Sequence, residues 1–486
     1  MKLLAGAVPA ACASSLLSEV AVQAMNQENS VKSAELIIVP PQGSPEVSND
    51  FAGRCTNAAV DFYFEPGDRL PTRVPAALTG VKAIVIEDDE VPANAQSIAQ
   101  YESTGAQVYR MGRDRSAAIP NATLAWGGEL TFQTICFDAG LTLDHPAFRE
   151  KRLARNDDTL LNDLGEAVLR SENVMWYDAP RYQWECMVDC FEVTGERRYL
   201  DTAQRQILNA MDNVPNDLSN CDTVAGLIPA LRLYEHTRNE KLLSYAIAKF
   251  DEYVKITPKC EGSWVNFLAY RNNVRSEILW QVLPGLMLLA KVAGNKKYSD
   301  IALEQFEIQH RLLFNKDQSL WSHGYANGRR TAGFWGRGVA FGFLGNLMVL
   351  ELLDKNDRRF ETCLQAFVNG AKRLRELQDE SGYWLCVPER AGSGKESSGT
   401  AWTCTALDRG IRLGFLDKSY RACADLAWDA VKCRIWQGRF PGHMFGTTAS
   451  LSPEYYLKKG ISETGWAHFA LRAVCEHKRA AKTARG

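Results

Sequence analysis

His323, Trp335 and Arg337 fall within fifteen positions of one another in WSHGYANGRRTAGFWGRGVAFG, residues 321–342, separated by Gly324, Gly328, Gly333, Gly336 and Gly338. These side chains offer an imidazole that can carry a proton, a flat aromatic face and a fixed guanidinium fork. The fork matches a carboxylate bidentately. The aromatic face stacks on the apolar surface of a sugar ring, and glycine permits tight bends and close approach of a ligand to the backbone. Together they suit an anionic carbohydrate. The same residues also read as a glycine-rich connection between core helices, with a buried tryptophan and a surface arginine.

The rest of the composition narrows the classes. The chain has 486 residues, of which 46% are hydrophobic, ample for a large core and against general disorder. Two or three domains are expected at this length. With 56 basic and 58 acidic residues there is no electrostatic footprint of a nucleic-acid binder. No uncharged apolar run reaches about 18 residues, so no membrane span is expected. Residues 1–30 support two readings. Lys2, the uncharged run Leu3–Ser18 and Val22-Gln23-Ala24 resemble a signal peptide, which implies a periplasmic or secreted protein through residues 1–24. Pro9, Glu19 and the alanine-rich run count against that, and the rival reading is a βα unit with a strand over 2–8, a helix over 12–27 and a second strand over 34–40. The 13 cysteines show neither zinc-ribbon nor disulfide spacing, although Cys186 and Cys190 fall at i, i+4. As buried free thiols they tilt the location toward a reducing, cytoplasmic compartment.

The elements that must position the chemistry fall into two patterns. Residues 31–125 read as a small α/β domain: AELIIVPP, VDFYF, KAIVIED and AQVYRM are strand-like, and NAQSIAQYESTG has helical spacing. A small parallel sheet follows from that alternation. No glycine-rich phosphate loop follows any of these strands, and a loose likeness to open amidotransferase-like α/β domains assigns no role. Residues 126–152 form a transition. From 153 to 486 the pattern is helical and repeats. A turn ending in an aromatic or leucine recurs at Tyr199, Leu242, Tyr298, Phe360 and Tyr420, in TGERRY, TRNEKL, AGNKKY, KNDRRF and FLDKSY. Apolar helices flank each turn, which signals stacked helix hairpins. A sixth hairpin is expected from Ala422–Arg434 with Ser462–His477. The residues in excess of a regular repeat collect in long connections at 259–275, 315–340, 379–402 and 436–463, and loops gathered at one end of a barrel build a cleft. The fold expected is mainly α: an (α/α)6 barrel preceded by a small α/β domain.

These connections resemble the unsaturated uronyl hydrolases of glycoside hydrolase families 88 and 105, more closely the unsaturated rhamnogalacturonyl hydrolases of the latter. The likeness covers roughly residues 165–478. It rests on Trp176-Tyr177, CDTVAG at 221–226, EGSW at 261–264 leading into YRNN at 270–273, and HGYA at 323–326. It continues through FWGRG at 334–338, QDESGYW at 378–384, ESSGTAW at 396–402 and EYY at 454–456. By that resemblance Asp222 stands at the family's first active-site aspartate. The second aspartate falls, in register from Tyr270, on Glu277. This is a departure: glutamate reaches about 1 Å further, and active-site geometry tolerates about 0.5 Å. Arg275-Ser276 replaces the usual Trp-Leu, and Phe341 stands where tryptophan is usual. His323, Trp335 and Arg337 would line the subsite for a terminal uronate, with Phe341 and Tyr177 in its wall.

The implied reaction hydrates the C4=C5 vinyl ether that a lyase leaves on a terminal uronate. It calls for a carboxylic acid held protonated near neutral pH by burial and a neighbouring carboxylate. Glu277 is expected as principal acid/base and Asp222 as its partner. The alternatives are a helix cap for Asp222 and a helix-end charge for Glu277. In ESSGTAW, Ser398 or Thr400 reads as a cap and Glu396 as a loop tie; His443 and Trp402 could reach the cleft. The expected partner is a uronate-containing oligosaccharide. No metal-ligand spacing, nucleotide loop or flavin motif occurs, so neither metal nor cofactor is expected, and the sequence does not specify an oligomer. Two other functions fit the same residues: direct hydrolysis of saturated uronides, β-glucuronidase-like, and non-catalytic carbohydrate binding.

Overall fold

The computed structural model of the chain describes residues 36–39, 62–64, 81, 83–87, 91–112, 123–125, 150, 152–171, 178–213, 220–266, 272–390, 393–435, 438, 440, 443–444, 461–462 and 467–485. The readings of residues 1–30, and Tyr177, lie outside them. The chain divides into two units, Met1–Lys151 and Arg152–Gly486.

In the first unit, β1 (Leu36–Val39), β2 (Phe62–Phe64), β3 (Ala83–Glu87), β4 (Gln107–Gly112) and β5 (Thr123–Ala125) form one sheet in the order β2-β1-β3-β4-β5. Every pairing is parallel. Helix α1 (Val91–Glu102) joins β3 to β4. β3 carries buried residues at four successive positions, Ala83 to Ile86, as a central parallel strand covered on both faces must. β5 lay unrecognised in the sequence because NATLAW offers only three strand residues.

The second unit is a double ring of helices. Its elements are α2 (Asp157–Arg170), α3 (Asp178–Thr194), α4 (Arg197–Ala210), α5 (Cys221–Ala225), α6 (Leu227–Thr237), α7 (Glu240–Ile256), α8 (Glu277–Gln281), α9 (Leu283–Ala293) and α10 (Lys296–Leu313). They are followed by α11 (Gly336–Leu352), α12 (Phe360–Leu377), α13 (Ser397–Arg412), α14 (Arg421–Arg434) and α15 (Ala467–Arg485). Short strands lie in the connections: β6 (Lys259–Cys260) pairs with β7 (Ser263–Trp264), and β9 (Phe314–Asn315) with β10 (Leu320–Trp321). Helices α3, α6, α9, α11, α13 and α15 each pack on the next, and α15 returns to α3, closing an inner ring. The outer partners are α4, α7, α10, α12, α14 and α2. Inner α11 is buried at every position from Gly336 to Leu350, whereas outer α4 buries one stripe, Tyr199, Leu200, Ala203, Ile207 and Ala210. This contrast is the difference between a helix enclosed by protein and one facing water. All five recurring turns link an inner helix to its outer partner. Asn239, Asn295 and Asp417 cap the helical turns that follow three of them, their side chains accepting from the backbone two residues on.

The expected sixth hairpin is corrected. α14 is the outer partner of α13, and α15 packs on α2, from the opposite end of the barrel sequence. Sequence-adjacent pairing cannot close a ring; the two ends must meet. Charge helps to fasten that seam. Arg472 on α15 reaches Glu185 at 3.1 Å and Asp189 at 3.5 Å on α3, and Arg232 and Arg479 also hold Asp189. Burial pushes the Asp189 carboxyl up, but these three guanidinium groups hold it far below the usual carboxylate range. The described cysteines are free thiols, nine of the ten buried. No helix among the described residues is long and apolar enough to cross a membrane.

One contact sets the spacing at the functional end. A Cβ built on Gly345 of α11 would lie 2.6 Å from the carbonyl carbon and oxygen of Leu279 in α8. Alanine is the better helix former by up to about 1 kcal/mol, yet overpacking a rigid backbone costs about 1–3 kcal/mol. Gly345→Ala is therefore expected to lower stability in denaturant melts; an unchanged or raised midpoint contradicts the close approach.

Candidate active site

The long connections leave the outer helices at one end of the ring and lead back to the inner ones. Two inner helices begin in the same unusual way. α5 precedes α6, and α8 precedes α9, with a break at Gly226 and at Val282. Pro229 and Pro284 follow, and a proline lacks the N–H that would bond the carbonyl four residues back. Each inner helix is thus severed into a one-turn segment and a long rod. Asp222 and Glu277 lie on those segments, each seven residues before its proline. The repeat CDTVAGLIP / SEILWQVLP was readable from the proline register but is hidden in composition.

Glu277 meets His323 through strand register. β8 (Asn273–Arg275) pairs with β11 (Gly324–Ala326), Gly324 opposite Arg275. The next residues inward are joined by a hydrogen bond from Ser276 N to His323 O at 3.0 Å. Ser276 Oγ also donates to Gly338 O at 3.0 Å. These bonds set the imidazole beside the carboxylate, His323 Nε2 to Glu277 Oε1 at 3.1 Å, with both residues buried. The return strand β12 (Arg329–Arg330) pairs with β11 through a turn at Asn327-Gly328, both at positive φ, the backbone for which this dipeptide is favoured.

Burial pushes the Glu277 carboxyl up, but the neighbouring His323, its hydrogen bond and the Arg275 guanidinium outweigh burial and hold it below the ordinary glutamate value. The direction of this shift is opposite to the raised value expected of an acid kept protonated. The hydrogen-bonding neighbour of Glu277 is the His323 imidazole, not a second carboxylate.

Asp222 is half-buried on the adjacent segment. Its Oδ1 accepts from Gln281 Nε2 at 2.9 Å, and Gln281 Nε2 lies 3.3 Å from Tyr182 Oη. The capping alternative for Asp222 fails: Asn220 caps α5 by accepting from Asp222 N. Gln281 sits four residues after Glu277 on the same helical face and bonds Asp222, not Glu277. That spacing was the signal for it in the sequence.

The other candidates assemble around His323. Trp335 meets the imidazole edge-on at 4.6 Å, and the Arg337 guanidinium lies over the Trp335 ring at 4.5 Å. Arg337 Nη1 is 3.4 Å from Ser398 Oγ. Phe341 is placed deeper, between Trp280 at 5.7 Å and Trp402 at 4.8 Å. Tyr182 stacks on Trp280 at 4.9 Å, and Phe469 meets Trp402 at 4.7 Å. Five inner-ring segments therefore contribute one aromatic each to a plug beneath the acids. Tyr182, Trp280 and Phe469 were not singled out in the sequence, since an aromatic on an apolar helix reads as ordinary core.

Gly336 and Gly338 serve protein packing rather than ligand approach. A Cβ at Gly338 would stand 2.7 Å from His323 Cβ, and one at Gly336 would stand 2.5 Å from Leu385 O. In ESSGTAW neither Ser398 nor Thr400 caps: α13 begins at Ser397, and Glu396 is its N-cap, accepting from Gly399 N. His443 lies on strand β15 (His443–Met444), paired with β16 (Ile461–Ser462).

Comparison with known proteins agrees with this architecture. A curated relative, the unsaturated 3S-rhamnoglycuronyl hydrolase of Formosa agariphila, is 29% identical over 182 residues, 34% of this chain and 47% of that protein. The chain thus spans about half the length of the curated relative it matches. Among solved structures, a possible member of glycoside hydrolase family 105 from Klebsiella pneumoniae superposes with a TM-score of 0.63 at 17% identity, covering 67% of this chain and 93% of that one. The unsaturated glucuronyl hydrolase of Bacillus sp. GL1 gives 0.52 at 17% identity, covering 66% and 96%. At such identities the likeness shows the shared fold, the (α/α)6 barrel expected from the sequence. The family model for Glycosyl Hydrolase Family 88 matches residues 163–480, and the chain belongs to that family.

Proposed function

We propose that the chain removes a terminal 4,5-unsaturated uronate from lyase-generated oligosaccharides by hydrating its vinyl ether. The observation that carries this reading is the buried Glu277–His323 pair, with Arg337 stacked on the tryptophan that touches the imidazole. Membership of family 88 and the activity named for the Formosa relative support it.

A guanidinium on an aromatic shelf holds a sugar carboxylate, placing C4=C5 against the pair. The hydrogen bond between His323 Nε2 and Glu277 Oε1 holds one transferable proton. That proton goes to C4, and positive charge develops at C5, next to the ring oxygen. Water adds at C5 and returns one proton to the pair. The hemiketal so formed opens and releases the remaining sugar. One proton leaves the pair and one comes back, so the net change is addition of water. Asp222 is the partner carboxyl, oriented by Gln281. Glu277 and Asp222 therefore take the catalytic roles, His323 shares the proton, Trp335 and Arg337 bind, and Phe341 backs them; Tyr177 remains a candidate for the wall.

The pair leads to two expected outcomes, the first in turnover. A lyase-generated oligosaccharide should lose its double-bond ultraviolet absorbance on incubation with the chain, while a saturated aryl glucuronide stays intact. Glu277→Gln should abolish that loss without unfolding; full activity in the variant removes Glu277 from the mechanism. Aryl release alone would instead indicate hydrolysis of saturated uronides.

The second outcome concerns pH. In the native chain the depressed Glu277 carboxyl contributes stability above the ordinary glutamate range, and that contribution fades as pH falls through its lowered value. His323→Gln leaves burial to dominate, so the folded value moves up and the sign inverts. The variant should lose about 3–5 kcal/mol at pH 7, the cost of breaking a buried pair, and less at pH 4, where Glu277 becomes neutral. Denaturant melts at both pH values test this; an equal loss at the two contradicts it.

A further inference from the structure

Glu396 ends β14 (Lys395–Glu396), which pairs with β13 (Trp384–Leu385), and its side chain is wholly buried at the start of α13. Capping a helix occupies one oxygen, and here Oε2 does so by accepting from Gly399 N. The other oxygen is engaged elsewhere, with Oε1 accepting from Ser398 Oγ at 2.5 Å. A serine hydroxyl has a single proton. With that proton committed to Glu396, the Ser398 oxygen presents only lone pairs to the Arg337 guanidinium 3.4 Å away. The first turns of α11 and α13 also abut, since a Cβ on Gly399 would stand 3.0 Å from the Gly336 backbone. The relay is therefore built into a rigid junction.

We propose that Glu396 is a positioning residue that, through Ser398, fixes Arg337 for the carboxylate of the substrate. This rests on the uronate reading above. A cap alone would have no bearing on substrate charge, whereas a residue aligning the guanidinium must act on charged substrate selectively.

The test compares full-length wild type, Glu396→Gln and Ser398→Ala on an unsaturated uronate oligosaccharide and on its methyl ester. Melting temperatures are measured alongside, and uronate binding is followed by calorimetry. In both variants the KM for the acid should rise on the order of tenfold, the value of one hydrogen bond to a charged group, with kcat nearly unchanged. KM for the ester should stay as in wild type. Equal losses on acid and ester, or a loss confined to kcat, overturn the inference and leave a structural cap. Should Glu396→Gln fail to fold, Ser398→Ala, which retains the cap, decides alone. A wild-type chain that turns over the acid while neither variant differs overturns this inference only. A wild-type chain that neither turns over nor binds the uronate overturns the functional reading and this inference with it.

Discussion

Taking a carboxylate and an imidazole out of water together is the constraint on which the rest of the site depends. Each polar group forfeits hydration on burial, and the hydrogen bond between them offsets this only in good geometry. At Glu277 and His323 that geometry is enforced by backbone: the β8–β11 register, the Ser276 N–His323 O bond and the Ser276 hydroxyl on Gly338. A slip of one residue in that register would turn every side chain to the opposite face and leave a buried charge alone. The three-stranded sheet is thus less a decoration on a helical barrel than the device that makes its acid usable.

The barrel supplies what short strands cannot, a fixed distance between segments. Prolines 229 and 284 cut a single turn from each of two inner helices, so Asp222 and Glu277 are carried on pieces that pack against one another. Glycines along α11 then let neighbouring chain settle onto an inner helix without a gap: Leu385 at Gly336, His323 at Gly338, Trp321 at Gly342 and Leu279 at Gly345. Beneath them the aromatic plug leaves the acids a firm floor. Preorganisation of this kind lets a proton pass without first rearranging the groups that hold it.

Much of this was legible in the sequence, for identifiable reasons. The turns before Tyr199, Leu242, Tyr298, Phe360 and Tyr420 marked the helix pairs, because a packed inner helix is apolar all round and an outer one is striped. His323, Trp335 and Arg337 came together because they share one connection. What stayed hidden was set by contacts distant in sequence. The Glu277–His323 pairing depends on strand register, and the lowered carboxyl depends on that pairing. Closure of the ring joins α2 to α15, which no local pattern marks. The glycines announced close approach but not what would approach. Glu396 passed for a loop tie because glutamate is not a usual helix cap, and its second oxygen acquires meaning only beside Arg337.

In the proposed reaction one proton, held by the buried pair, is delivered to one face of a double bond and replaced from water. Turnover of a lyase-generated oligosaccharide in D2O, followed by proton NMR, measures this directly. In the first spectra, before C4 exchanges beside the C5 ketone, a single deuterium is expected at C4 of the released uronate, in one of its two positions only. Deuterium in both positions in those spectra, or release of the sugar with the double bond intact, would contradict it.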